Sequence, residues 1–242
     1  MNTLAKTAIA AAAVLVVAIL GYNLLPGNQV GGQPTPTPIV TPTPSPSAPP
    51  DIEVGSLSAG TYLYSEFTLI PFTVTVPNGW AMNLDGFILK GGSLEGETGA
   101  TGVAFAPWLI THVYGDSCQW QGTLREAGSR QLLATALAEQ TGHTTTGPTE
   151  ITLGGRAASR LVLSVAADFD RNTCQSSVLR LWPDPGPDER GGHRIYPGQT
   201  TTVYALEDGG EAMVLFTVSN EGSAAGDVAE LQTILDSVQF VR

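Results

Sequence analysis

The sequence has little positive charge, little charge overall and few cysteines. Of its 242 residues, 11 are basic and 22 are acidic, and charged residues make up 14% of the chain. This acidic balance excludes a nucleic-acid-binding protein that works by neutralising phosphates. Two cysteines are too few for a disulfide-dense mini-protein, and the 28 glycines lack the regular period of a collagen-like fibre.

The N-terminus carries almost no charge. Lys6 is the only charged residue among the first 50, and an uncharged stretch of about 19 residues follows it, from Thr7 to Leu25. A helix of that length approaches the roughly 30 Å hydrocarbon core of a bilayer. Because the next basic residue is Lys90, the charge bias predicts a cytoplasmic N-terminus and an extracytoplasmic remainder. We expect residues 1–25 to form a cytoplasmic tip and a single-pass transmembrane anchor. A cleaved signal peptide is the alternative, although no clean Ala-x-Ala site follows.

A proline-rich segment comes next. Residues 26–50 hold nine of the 17 prolines, and residues 34–50 read PTPTPIVTPTPSPSAPP. Alternating proline fixes φ and removes amide donors, which favours a semi-rigid polyproline II spacer about 50 Å long. We expect residues 26–59 to be a Pro/Thr/Ser-rich linker that holds the following domain away from the membrane.

Residues 60–242 are long enough for one domain with a hydrophobic core. Strand patterns joined by short turns predict three hairpins, with turns at Pro77-Asn78-Gly79, Gly154-Gly155 and Gly209-Gly210. A helix is predicted between Leu124 and Gln140, with Leu132, Leu133, Ala136 and Leu137 on its apolar face and a stop at Gly142.

A second helix is predicted near the C-terminus. Ser223 is its predicted N-cap, and the inward-facing residues are Val228, Leu231, Leu235 and Val238. The predicted fold class is therefore α+β, an antiparallel sheet with helices packed on it. A doubly wound nucleotide-binding fold does not fit, because the helices do not alternate with strands.

Cys118 and Cys174 are the two cysteines. In an extracytoplasmic domain they are expected to form a structural disulfide. A catalytic thiol or a metal pair is the alternative, but a zinc site would also require His112, His143 and His193 to converge. The sequence therefore predicts no metal and no cofactor.

Motifs for catalysis are incomplete or missing. The run from Asp168 to Asn172 opens like a calcium loop, but Thr173 and Leu179 occupy positions where such a loop needs Gly and Glu. The sequence has no G-x-S-x-G, Walker or H-E-x-x-H motif. The paired acids Glu95 and Glu97 lie in a glycine-rich loop. We therefore predict that the protein is not an enzyme and identify no catalytic residues.

The four tryptophans have two interpretations. They could form the floor of a glycan or ligand site, or they could be ordinary core and rim residues. They are Trp80, Trp108, Trp120 and Trp182, of which Trp120 is expected to pack on the disulfide because it lies two residues from Cys118.

The stretch VYGDSCQWQG at residues 113–122, the later Cys174 and the ending from Ala229 to Phe240 carry a resemblance. They resemble a group of uncharacterised extracytoplasmic domains of actinobacteria and Chloroflexi. The ILDSVQF pattern also resembles, more weakly, the PsbP-type fold of an extrinsic photosystem subunit. The resemblance implies a sheet with helices on its faces and supports the disulfide, but it provides no catalytic residues to transfer.

These observations predict a membrane-anchored bacterial cell-surface protein whose domain binds a protein partner or a small ligand without catalysis. Two alternatives remain. One is a hydrolase or transferase that uses carboxylates or a Ser/His pair, and the other is a passive spacer in an envelope complex. A cavity lined by Trp and aliphatic residues would favour binding, whereas paired carboxylates or a Ser beside a His would favour catalysis.

Overall fold

The computed structural model describes residues 47–66, 68–95, 99–184 and 192–241. The predicted anchor and most of the predicted linker lie outside these residues. Within the described ranges, no helix combines the length and the apolar character that a membrane span needs.

The centre of the domain is an eight-stranded sheet in which all neighbouring strands are antiparallel. Every residue from Ala212 to Phe216 is buried, because both faces of the sheet are covered. From one edge to the other, the strands are β1 (Gly55–Leu57), β4 (Trp80–Met82), β5 (Ile88–Lys90), β6 (Val103–Leu109), β14 (Glu211–Asn220), β13 (Gln199–Asp208), β10 (Arg156–Ser164) and β9 (Thr144–Leu153).

One face of this sheet packs against a helix and a small second sheet. The helix is α2 (Ala225–Asp236), and the small sheet has the order β15 (Gln239–Phe240), β3 (Phe72–Val76) and β2 (Gly60–Tyr64). The buried Trp80 donates its indole N–H to Glu230 on α2 at 2.9 Å. Glu230 also pairs with Lys90 at 2.7 Å, so polar contacts supplement the apolar packing of α2 on the sheet.

The opposite face is covered by α1 (Arg130–Ala138) and two β-ribbons. One ribbon joins β7 (His112–Tyr114) to β8 (Leu124–Glu126), and the other joins β11 (Leu179–Trp182) to β12 (His193–Ile195). Two single 3₁₀ turns, Arg171–Thr173 and Gln175–Ser177, precede β11. The disulfide between Cys118 and Cys174 links the loop after β7 to these turns.

The domain is α+β, mostly antiparallel sheet with two helices among the described residues, as the sequence predicts. The predicted hairpins β9–β10 and β13–β14 are both present. The predicted hairpin of β3 with β4 is wrong, since β3 pairs with β2 and β15, whereas β4 pairs with β1 and β5. The turn at Asn78 instead carries the chain from one sheet to the other, so that Val76 and Trp80 enter the same core from opposite layers.

The main sheet begins before the predicted domain boundary at residue 60. Strand β1 pairs with β4 in the register Gly55 to Met82, and Leu57 is 8% exposed in the core. The small residues around Leu57 have the composition of a linker, yet a short edge strand needs only one anchoring apolar side chain. The predicted linker therefore contains the first strand of the sheet.

The helices differ from their predicted boundaries in detail. The Ser129 hydroxyl caps α1 by accepting from the Leu132 amide at 3.3 Å, and Leu132 itself is 51% exposed instead of inward. Ser223 does not cap α2, because its hydroxyl donates to the Gly102 carbonyl at 3.1 Å and the helix begins after Ala224. The inward face of α2 includes Ile234, whereas Val228 is 39% exposed.

Candidate functional site

A cavity of about 400 Å³ is lined both by the β11–β12 ribbon and by the main sheet. Trp108, Gln199 and Val218 contribute from the sheet, and Arg180 and His193 contribute from the ribbon. The turn between β4 and β5 and the loop after β5 complete the described wall. A volume of this size is within the range of small-molecule binding sites.

The cavity has an aromatic wall built from three rings. The ring centroids of Phe87 and Trp108 are 6.3 Å apart, and the His193 ring lies 6.2 Å from Phe87 and 6.3 Å from Trp108. Behind them, the fully buried rings of Trp182 and Phe216 lie 4.8 Å and 4.4 Å from His193. Because this second layer holds the first, the cavity presents a rigid aromatic surface.

His193 is part of this surface and is neutral. It is 8% exposed, and burial lowers its pKa to about 3. A histidine with such a pKa is a weak base and stays neutral at neutral pH, so it is poorly suited to general acid or base catalysis. Its Nε2 atom is buried without a hydrogen-bond partner among the described residues. His193 therefore offers a polar atom for ligand contact.

Other residues of the cavity also have polar atoms without partners. Within the described part of the chain, Trp108 Nε1 and the Nε and Nη1 atoms of Arg180 are buried and make no hydrogen bond. Unpaired buried donors are uncommon in native proteins and are costly. The Arg180 guanidinium lies 4.6 Å from the centre of the Trp120 ring, and Trp120 Nε1 donates to the Gln175 carbonyl at 3.1 Å.

The rim at the turn between β4 and β5 is fixed by hydrogen bonds. The Asn83 side-chain oxygen accepts from the amides of Asp85 at 3.1 Å and Phe87 at 2.8 Å. The buried Tyr64 hydroxyl donates to the Gly86 carbonyl. This turn carries Leu84, which is 81% exposed. The rim is therefore preformed and ends in an exposed apolar side chain.

Three carboxylates also line the cavity. They belong to Asp85, Glu95 and Asp184, and all three residues are exposed. Catalytic acids are usually held in surroundings that exclude water, which raises their pKa values. Exposed carboxylates at a rim are better placed to accept hydrogen bonds from a ligand or to remain solvated. Of the predicted acidic pair, Glu95 lines the cavity and Glu97 lies outside the described residues.

A serine and a histidine meet elsewhere in the domain. His143 Nδ1 lies 3.1 Å from the Ser117 hydroxyl, beside the carboxylate of Asp116. Ser117 is fully buried and its hydroxyl donates to the Thr141 carbonyl at 3.0 Å, so His143 must donate to Ser117. A nucleophilic serine needs the opposite polarity and access to substrate. The contact instead connects residues 116–118 with residues 141–143.

A second cavity, of about 770 Å³, contains part of the incomplete calcium loop. Asp170 accepts from the Asn172 amide at 3.0 Å and caps the first 3₁₀ turn. Among the residues that the structure describes, no group of three or more His, Cys, Asp or Glu side chains could hold a metal ion. The sequence run from Asp168 therefore forms a capped turn.

The structure distributes the other predicted residues over several places. Cys118 and Cys174 form a disulfide, in agreement with the prediction. Trp80 and Trp182 are core residues, Trp108 lines the cavity and Trp120 supports Arg180. The three histidines do not converge, because His112 is on β7, His143 contacts Ser117 and His193 is in the cavity wall.

Sequence reasoning did not identify Arg180 or His193 as site residues. Arg180 interrupts the apolar run Val178-Leu179 and Leu181-Trp182, which is a signal that a charged group lies in a buried strand. His193 follows a segment with a linker-like composition and carries no comparable signal.

Comparison with known proteins adds little. No family model matches the chain, and no curated protein matches it. Among solved structures, the chain is similar to LpqN of Mycobacterium tuberculosis, a protein involved in cell envelope biogenesis, with 11% sequence identity and a TM-score of 0.39. The alignment covers 76% of this chain and 91% of LpqN. A similarity of this size defines no family, and the function proposed below rests on the cavity.

Proposed function

We propose that this protein is a non-catalytic binding protein of the bacterial cell surface, whose extracytoplasmic domain holds a small organic ligand in the 400 Å³ cavity. The N-terminal anchor and the proline-rich linker would attach this domain to the cytoplasmic membrane. The aromatic wall of Phe87, Trp108 and His193 is the observation that carries the proposal.

The aromatic wall of the cavity supports binding over catalysis. A small-molecule site combines apolar and aromatic walls with a few polar groups that fix orientation. Here the aromatic wall is supported from behind, and Arg180 and Trp108 add polar atoms without partners. The nearest arrangement to a nucleophile and its base, Ser117 with His143, is buried outside the cavity and has the wrong hydrogen-bond polarity.

The disulfide supports the extracytoplasmic location. Disulfides persist in oxidising compartments and are rare in the cytoplasm. Cys118 and Cys174 are both used in the bridge, and the charge bias around Lys6 gives the same orientation independently.

A second candidate function is a carboxylate-based hydrolase or transferase. It is favoured by one observation, that Asp85, Glu95 and Asp184 line the same cavity. The exposure of these three carboxylates and the neutral state of His193 argue against the enzymatic function. A binding protein would retain its ligand unchanged in the cavity, whereas a hydrolase or transferase would convert the ligand into a product.

Native mass spectrometry of the full chain, recovered from its own membrane fraction, tests the proposal. We expect a mass that includes residues 1–25, two alkylatable thiols only after reduction, and a non-covalent adduct of roughly 200–500 Da. The Trp108→Ala variant should lose the adduct, whereas Leu132→Ala, which changes an exposed helix residue, should retain it.

Different results would refute different parts of the proposal. Free thiols without reduction would contradict the disulfide and the extracytoplasmic location. An adduct that survives Trp108→Ala would place the ligand elsewhere, and absence of any adduct in the wild type would contradict retention of a ligand. An adduct that changes mass with time, in wild type but not in a variant of Asp85, Glu95 and Asp184 to the corresponding amides, would favour the enzyme.

A further inference from the structure

The unpartnered nitrogens of the cavity are mostly donors. Trp108 Nε1 and the Nε and Nη1 atoms of Arg180 can only donate hydrogen bonds, and all three are buried without a partner among the described residues. The Gln199 side-chain oxygen is an unpartnered acceptor, because its amide nitrogen donates to the Leu94 carbonyl at 2.9 Å, and His193 Nε2 is also without a partner. The surplus of donors indicates that a ligand would have to supply oxygen acceptors.

The Arg180 guanidinium is oriented by its neighbours before any ligand oxygen accepts a hydrogen bond from it. The guanidinium stacks on Trp120, and Trp120 is itself fixed by the hydrogen bond to Gln175, the residue next to the disulfide. A guanidinium that is oriented before binding loses little rotational freedom when it forms a forked contact. The stacking on Trp120 therefore holds the Arg180 guanidinium in place on β11.

Charges of both signs surround Arg180. Directly opposite on β12 stands Arg194, a second cation, which has a side-chain hydrogen bond to Tyr196. Burial, followed by the charge of Arg194, lowers the pKa of Arg180, while the charge of the exposed Asp184 acts in the opposite direction. Like charges on opposite strands are unfavourable, and a ligand anion beside Arg180 would add a charge-assisted partner to the partial compensation that Asp184 provides.

We propose that the ligand of this cavity carries a carboxylate, which accepts hydrogen bonds from Arg180 and Trp108 while the apolar part of the ligand packs on Phe87. This inference rests on the proposed binding function. A carboxylate matches the planar fork of a guanidinium. A dianionic phosphate fits less well, because Asp85, Glu95 and Asp184 line the same cavity and would repel the additional charge.

Matched pairs of aromatic acids and their neutral amides test this inference on the full chain. The probes are benzoate, phenylacetate and indole-3-acetate, each compared with its primary amide in detergent micelles, with empty micelles as the blank. Binding is followed by the indole N–H resonance of Trp108, which is assigned with the Trp108→Phe variant. We expect at least one acid to bind about tenfold or more tightly than its amide, since its contacts to Arg180 are charge-assisted.

The Arg180→Met variant keeps an unbranched apolar side chain and removes the guanidinium with its charge. It should reduce the affinity of the acid to that of the amide, whereas Arg171→Met, at an exposed site on a 3₁₀ turn, should have no effect. Should Arg180→Met fail to fold, Arg180→Lys retains the charge without the fork and should give an intermediate affinity.

The outcomes distinguish the carboxylate inference from the proposed binding function. Amides that bind as tightly as acids, or acids whose affinity is unchanged by Arg180→Met, would overturn the carboxylate inference and leave the binding function in place. If neither series shifts the Trp108 resonance, both the inference and the proposed function are contradicted.

Discussion

Removal of the disulfide by the double substitution Cys118→Ala and Cys174→Ala should destabilise the domain strongly. The two cysteines are 56 residues apart in sequence. In the chain-entropy model, a loop of this length contributes about 4 kcal/mol, because the bridge restricts the unfolded chain. Against the 5–15 kcal/mol typical of whole domains, this is a large share. For a domain of this size it corresponds to a fall in Tm of roughly 8–16 °C.

The variant should nevertheless fold, because hydrogen bonds also join the two segments. The Gln175 amide donates to the Cys118 carbonyl at 2.9 Å, and the Arg180 amide donates to the Ser117 carbonyl at 2.9 Å. The loss should therefore arise mainly in the unfolded state, which becomes more expanded without the bridge.

Urea unfolding of oxidised wild type, reduced wild type and the double variant measures this effect. The reduced protein and the variant should lose similar stability, and their m-values should exceed that of the oxidised protein. A loss below about 1 kcal/mol with an unchanged m-value would refute the chain-entropy reasoning for this loop.

Two further predictions concern pH and backbone conformation. Burial lowers the pKa of His143 to about 4 and that of His193 to about 3, against 6.5 for a free histidine. Stability should be constant above pH 6.5 and fall below it by up to about 1.4 kcal/mol per pH unit for each histidine, because only the unfolded chain gains protons. Urea midpoints between pH 7.5 and 5 check this, and an equal slope in the His143→Gln/His193→Phe variant would contradict it. Gly142 has φ of +90°, and an added Cβ would stand 2.5 Å from Ser117 Oγ. Gly142→Ala should therefore cost about 1–3 kcal/mol. Gly128→Ala, where a Cβ meets nothing within 4 Å, is the control, and equal urea midpoints for the two variants would argue against strain.

Local sequence signals predicted the parts of the fold that depend on neighbouring residues. The Gly-Gly turns at residues 154–155 and 209–210 lie in hairpins whose strands are consecutive, so period and turn chemistry are sufficient. The turn after Val76 has an equally good hairpin signal, but its strands belong to different sheets. The pairing of β3 and β4 with other strands depends on β1, β2 and β15, which lie elsewhere in the sequence. A local sequence pattern therefore cannot predict it.

The cavity was not predictable from the sequence, because its wall is assembled from distant segments. Phe87, Trp108 and His193 come from three segments separated by up to 106 positions in sequence, and strand pairing together with ring packing brings them into one wall. Of the tryptophans that the sequence offers for a ligand site, Trp108 lines the cavity, whereas Trp182 lies behind the wall as a core residue. The same side-chain type serves two roles that only the topology distinguishes.

The disulfide connects fold and site through a short series of contacts. Gln175 follows Cys174 directly, its carbonyl accepts from Trp120, and the Trp120 ring supports the Arg180 guanidinium. Hydrogen bonds from Gln175 and Arg180 to the segment around Cys118 tie the same residues to the opposite end of the bridge. The Arg180 guanidinium is therefore supported by residues that lie next to the disulfide. Because such a cross-link persists outside the cytoplasm, the arrangement agrees with a binding site that is complete only where the domain is proposed to act.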